Sequence, residues 1–114
     1  MLANHFLTAD GRAELALFIE SIERFRTDEI KPHYRDWEKA GQVPRELFAR
    51  MGEQGFLCAD VPEAGGSAGA SVNFSFAVIE VLSRRGYADF VGGMQVHTDI
   101  IPPYILDFGT EAQR

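Results

Sequence analysis

Ser71-Val72-Asn73-Phe74-Ser75-Phe76-Ala77-Val78-Ile79-Glu80-Val81-Leu82-Ser83-Arg84-Arg85-Gly86 is the stretch on which the fold turns. Ser71 carries the side chain of an N-cap, which accepts a hydrogen bond from the first turn. Arg84 and Arg85 fall in the last turn, where the helix dipole favours positive charge, and Gly86 supplies the stop. Between them, Phe74, Phe76, Ala77, Val78, Ile79, Val81 and Leu82 leave a helix over Val72 to Arg85 apolar on nearly every side. Such a helix belongs in the middle of a bundle, surrounded by others.

The segments on either side supply the neighbours. From about Ala13 to Lys39, Leu15, Phe18, Ile22, Phe25, Ile30, Tyr34 and Trp37 recur at helical spacing and define one face of a long helix. Pro32 predicts a kink, because it removes the hydrogen bond to the Asp28 carbonyl and crowds it; Gly41 ends the run. Pro44 fits the first position of a second, short helix with Leu47, Phe48 and Met51 inward and Gly55 as its stop. Phe56 to Pro62 reads as an extended apolar run, and Glu63-Ala64-Gly65-Gly66-Ser67-Ala68-Gly69 as a glycine-rich excursion without regular structure.

Beyond Gly86, Asp89 caps a fourth helix through Gly92, Gly93, Val96 and His97; Pro102-Pro103 breaks it, and Tyr104 to Phe108 adds a fifth piece. Gly109 is a stop through its ease at positive φ. Thr110 and Gln113 then make a capping box, in which Gln113 reaches back to the Thr110 N–H, with Glu111 in the first turn. A helix announced at the last residues predicts a fragment of a longer protein. With thin strand signals and no internal repeats, the expected fold is all-α: an irregular up-and-down bundle with a kinked first helix and one Gly-rich loop. Residues 1–12 are expected to be an N-terminal extension and residues 13–114 the helical domain.

Composition narrows the partners. A net charge of −6 argues against nucleic acid or an anionic membrane, both of which need clustered Lys and Arg. No apolar run approaches the roughly 18 residues of a spanning helix, and the first ten residues lack the pattern of a secretory signal. A cytoplasmic location is the expectation. Cys58 is the single cysteine, which leaves no intrachain disulfide and no cysteine-rich metal site.

Several segments in order resemble the N-terminal helical domain of the acyl-CoA dehydrogenase family. Glu29-Ile30-Lys31-Pro32-His33 with Trp37-Glu38 and Gly41-Gln42-Val43-Pro44 is similar to its kinked first helix and exit. Gly52 to Pro62 is similar to its helix end running into a proline, and Val78-Ile79-Glu80-Val81-Leu82-Ser83-Arg84 to its "V-I-E-E-L-A-R" helix. His97 to Ile105, followed by Phe108 to Arg114, most resembles the long-chain-type branch. One departure stands out: the family's P-E-x-Y-G-G-x-G reads here Pro62-Glu63-Ala64-Gly65-Gly66-Ser67-Ala68-Gly69, without the tyrosine and with the last glycine one step later.

The resemblance implies an enzyme with FAD that turns acyl-CoA thioesters into trans-2-enoyl thioesters. It also implies transfer of the electrons to an electron-transferring flavoprotein and assembly into a homo-oligomer, as a homotetramer. It places most flavin contacts and the catalytic base in a β-domain and a second helical domain that follow, so this chain holds no catalytic residue, and its cofactor-binding residues remain unassigned. The domain would supply packing and one wall of the acyl pocket. Two other readings stay open: a stand-alone helical binding or oligomerisation module, and a related flavin oxidase or monooxygenase of the same fold.

Gly92-Gly93 inside a helix is the feature that most needs a reason, since each glycine costs about 1 kcal/mol against alanine. The reason is either close helix packing or room for a ligand. Gly92, Val96 and Ile100 stand at i, i+4 and i+8 and share a face. Matched by position to the family, that face lines the tail of the acyl pocket, so these three are the candidate substrate-binding residues. His97 and Asp99, two apart, point to different faces, and neither H-x-x-x-H nor H-E-x-x-H occurs, so no metal site is expected. No G-x-S-x-G elbow marks a nucleophile. The Gly65-Gly66 loop lacks the residues of a P-loop or dinucleotide fold and reads as a surface turn. Cys58 reads as a small buried hydrophobe, and Phe25, Tyr34 and Trp37 as core. The Asp28-Glu29 and Arg84-Arg85 pairs read as solvated faces.

Overall fold

The chain was examined as a computed structural model, which describes residues 2–4, 7–65 and 69–114. Gly66 to Ala68, in the glycine-rich excursion, lie outside the described residues. Six α-helices make up the architecture, with no strand among the described residues: α1 Ala9–Phe25, α2 Tyr34–Ala40, α3 Arg45–Glu53, α4 Val72–Arg84, α5 Ala88–Gln95 and α6 Ile101–Phe108. The expected all-α bundle is what forms.

The apolar helix α4 is the centre. It packs against α1, α5 and a 3₁₀ turn at Leu2–Asn4. Ser71 caps it as expected, accepting from the Asn73 N–H at 3.3 Å. Ser75, Ala77, Val78, Val81 and Leu82 are buried, while Phe76 and Val72 stand exposed on its far side. At its end Gly86 takes φ +92°, with its own N–H on the Ser83 carbonyl and that of Tyr87 on Leu82. That pairing of the last carbonyls requires a left-handed residue, which glycine adopts without a Cβ penalty. Gly55 closes α3 in the same way.

The first helix begins earlier than the periodicity predicts. Thr8 caps it, accepting from the Gly11 N–H at 3.0 Å, so α1 starts at Ala9. Residues before it also join the fold. Ala3 is buried, donates its N–H to Glu80 Oε2 at 3.2 Å and accepts from Asn73 Nδ2 at 2.6 Å.

The prolines act through a device absent from the expectation. A π-helical turn, Arg26–Ile30, precedes Pro32, and a second, Val96–Ile100, precedes Pro102. In each the last N–H reaches five residues back, Lys31 to Arg26 at 2.8 Å and Ile101 to Val96. The wider turn moves the chain off the α path before the proline ring meets the preceding turn. At Pro32 the helix still gives way to a turn before α2, so the expected kink is present. Pro102-Pro103 does not break the second run: the prolines sit in the first turn of α6, where the missing N–H groups have no partner to lose. Two smaller corrections accompany this. Pro44 is the N-cap of α3, not its first helical residue, and Tyr87, not Asp89, precedes α5.

The core joins Leu15, Ile22 and Ile30 to Leu47 and Met51, and to Val78, Val81, Leu82, Phe90, Val91 and Met94. Phe56 fills its middle, 1% exposed, edge-on to Phe18 and Phe25 at 5.5 and 5.4 Å between centroids. Phe25, Tyr34 and Trp37 are half-buried against this cluster, so they are core, as expected. The paired charges are less free than they read: Glu29 meets Arg50 at 2.9 Å, Arg84 meets Glu80 at 2.9 Å, and Arg85 meets Glu23 at 3.2 Å.

Phe56 to Pro62 is not extended. Cys58 takes φ +53°, and Val61 N–H bonds the Cys58 carbonyl at 3.1 Å, folding the run into bends. The chain must return to the start of α4, and the two arms of the excursion pair as it does. Gly69 N–H meets the Val61 carbonyl and Ala70 N–H the Ala59 carbonyl, each at 2.9 Å.

Candidate functional site

The second long run, α5 through the π-turn into α6, carries every residue singled out for ligand contact. Its buried side is Phe90, Val91, Met94 and Thr98. Its other side is bare and apolar: Val96, Ile100, Ile101, Tyr104, Ile105 and Phe108 are all exposed, Phe108 by 81%. Large apolar side chains gathered on one face mark a surface that meets something else.

Gly92, Val96 and Ile100 lie on this run in the open. Val96 and Ile100 are about half exposed, and a Cβ built on Gly92 or on Gly93 would meet nothing within 4 Å. Close helix packing among the described residues is therefore not the reason for the two glycines. The π-turn between Val96 and Ile100 puts one extra residue into their i, i+4 register. None of the three lines either of the cavities that flank the run.

The larger cavity, about 720 Å³, is an open groove between α3, the Leu57–Val61 bends and α6. Phe48, Leu57, Val61, Ile105 and Leu106 give it apolar walls, with Arg45, His97 and Arg114 as its basic groups. The smaller, about 260 Å³, lies between α4 and the π-turn and is lined by Asp60, Thr98, Asp99, Val72, Phe76 and Ile79, among others. Val61, Pro102 and Leu106 border both cavities. His97 and Asp99 thus face different cavities, as their spacing predicts. Burial first, and the nearby Asp60 charge second, hold the Asp99 carboxyl above its ordinary range.

Cys58 is half-buried at the larger groove, with its thiol 4.0 Å from the His97 carbonyl oxygen. Burial pushes that thiol up, which keeps it protonated and poorly nucleophilic. Among the described residues, no group of three His, Cys, Asp or Glu side chains is placed to hold a metal ion. The capping box is formed: Thr110 N–H donates to Gln113 Oε1 at 2.8 Å. Gly109 departs from expectation, with φ −77° and an extended conformation. Glycine is needed there because a Cβ would run into the Ile105 carbonyl oxygen. Asp60 and Thr98 escaped the sequence reading. Thr98 stands between His97 and Asp99, but its burial has no local signature in the sequence.

The family model for the acyl-CoA dehydrogenase N-terminal domain matches residues 12–114. The chain is 38% identical over 102 residues to the long-chain specific acyl-CoA dehydrogenase, mitochondrial, of Sus scrofa, covering 89% of this chain and 23% of that protein. The Mus musculus protein of the same name is 37% identical over 102 residues, with the same coverage. An acyl-CoA dehydrogenase of Bacillus subtilis (strain 168) is 34% identical over 101 residues, 89% of this chain and 26% of that one. The chain therefore spans about a quarter of the length of the curated relatives it matches. No solved structure matches it significantly.

Proposed function

The chain belongs to the acyl-CoA dehydrogenase family as its N-terminal domain, and on that premise we propose that its parent protein desaturates acyl-CoA thioesters at Cα and Cβ, with this domain supplying one wall of the acyl pocket. The observation that carries the role of this domain is the apolar face beside an open glycine pair. Val96 and Ile100 stand half exposed on the same run as Gly92, whose Cβ position meets nothing from the rest of the fold within 4 Å. Leaving apolar side chains in water costs roughly 25 cal/mol per Å², so a cover of matching chemistry is favoured. An acyl chain against Gly92, Val96 and Ile100 is such a cover, and packing of the rest of the parent on α6 is another. Glycine there leaves length for a long or bulky acyl group, in keeping with the names of the mammalian relatives.

FAD, which accepts the hydrogen pair in this reading, carries two phosphates and a flat ring system. The described residues do not fit it: Arg45, His97 and Arg114 are the only basic groups on the larger groove, and the smaller cavity is acidic. No flavin step is assigned to this chain. Electron transfer to a flavoprotein and homo-oligomer formation belong to the same reading of the parent.

The test is Gly92→Leu in the full-length parent. The expected outcome is a shift of kcat/KM toward shorter acyl chains, because the leucine fills space the chain tail occupies. An unchanged chain-length profile refutes the pocket role. The 114-residue chain alone, given acyl-CoA and an acceptor dye, is expected to reduce no dye.

A further inference from the structure

The smaller cavity has a chemistry that the acyl-pocket reading does not use. Thr98 is 3% exposed, yet its Oγ1 makes no hydrogen bond of ordinary geometry. The Cys58 thiol beside it is a weak partner at best. Asp99 Oδ2, its neighbour, is also buried and without a partner. Asp60 lines the same cavity, where its Oδ1 accepts from the buried Ser75 hydroxyl at 3.2 Å. Buried acceptors without donors are rare in folded proteins, and each one needs an explanation. A single bridging water is too small a one: the cavity of about 260 Å³ exceeds the roughly 30 Å³ share of one water several times over.

We propose that this pocket is a receptor site for a guanidinium group on an alkyl stem, with Asp60, Asp99 and Thr98 as its acceptors and Val72, Phe76 and Ile79 as the wall for the stem. Three features select that ligand. The polar groups of the pocket are two carboxylates and a hydroxyl, with Gln95 beside them, and no cationic residue lines it. A guanidinium is all donors, five N–H groups in a planar fork, and forms its strongest bonds with carboxylates. The mouth is apolar, with Val72 46% and Phe76 51% exposed, which suits a methylene stem and the flat face of the cation. Burial first and the Asp60 charge second raise Asp99, and a cation between the two carboxylates relieves both. The inference stands on the pocket alone and does not depend on the reaction of the parent.

N-ethylguanidinium titrated into the chain, followed by amide shifts of Asp60, Thr98 and Asp99, tests it. Saturable shifts at these residues are expected, weakened at least about tenfold by the isosteric Asp60→Asn and Asp99→Asn changes, each removing a charge-assisted bond. Thr98→Val is expected to weaken binding while keeping the fold, because it removes only a hydroxyl whose protein partner is the weakly bonding Cys58 thiol. Glu63→Gln, outside the pocket, is the control for general charge and is expected to change nothing. Non-saturating shifts, or equal weakening by Glu63→Gln, overturn the proposal, as does binding unchanged in both Asn variants that still show the wild-type helical spectrum. In the full-length parent, shifts matching those of the chain indicate an open site for a small ligand. Loss of the probe there, restored by proteolytic removal of the rest, indicates an arginine side chain from elsewhere in the protein.

Discussion

Replacing Gly92 and Gly93 by alanine is expected to stabilise this chain, and the size of the gain follows from the helix itself. Both residues lie inside α5 at ordinary negative φ, so alanine enters without backbone strain. Neither Cβ meets an atom from the rest of the fold within 4 Å, so no tertiary packing is gained or lost. What remains is helix propensity, about 1 kcal/mol per position in favour of alanine. The two positions are adjacent in one helix and their effects couple, so the double variant is expected to gain about 1–2 kcal/mol. For a domain of this size that raises Tm by about 4 °C for each kcal/mol. Urea and thermal unfolding, followed by circular dichroism at concentrations low enough to hold a monomer, measure it. No gain in either single variant refutes the reasoning, because the glycines would then already be matched by contacts the fold does not show. A gain of this size, set against a 5–15 kcal/mol total, is large for a natural sequence to leave unused. It is understandable if the space itself has a use, which is what Gly92→Leu in the parent examines.

Phe56→Ala is expected to cost about 3–5 kcal/mol in urea unfolding, since it empties the middle of the core between Phe18 and Phe25. Gly86→Ala is expected to cost about 1 kcal/mol or more in the same assay, because φ +92° is hostile to a Cβ. Asp99→Asn separates the variants by pH. The folded Asp99 binds its proton more tightly than the unfolded one, so wild-type stability falls as pH rises through the carboxylate range. The Asn variant is expected to be more stable than wild type near neutrality and to converge with it below about pH 4, and a difference independent of pH refutes the assignment. The bare face of α6 is expected to drive self-association, seen as concentration-dependent sedimentation, with monomers at every dilution as the contrary result.

The structure is legible in the sequence where hydrogen bonds between near neighbours decide it. Ser71 caps α4, Gly55 and Gly86 close their helices, and Gln113 reaches back to Thr110, all within a few residues of chain. The central place of α4 followed from its apolar composition, although one side of it, at Val72 and Phe76, is left exposed and not surrounded. Sequence and structure part where proline meets helix. Pro102-Pro103 signals a break only where an α turn precedes it, and the π-turn at Val96–Ile100 removes that condition. The bends of Phe56–Pro62 were hidden for another reason: an apolar run looks the same whether it is extended or folded back to reach the next helix.

The sequence by itself determined that this is an all-helical domain of the acyl-CoA dehydrogenase type, that helices end at Gly41, Gly55 and Gly86, and much of what fills the core. Those are consequences of periodicity and short-range bonding, legible one segment at a time. Tertiary structure alone decided that Gly92 and Gly93 face open space, and that the separate faces of His97 and Asp99 each meet a cavity. It alone set Asp60 against Thr98 and Asp99 in one acidic pocket. Burial and charge proximity depend on which helices pack together, and no stretch of sequence contains that information locally.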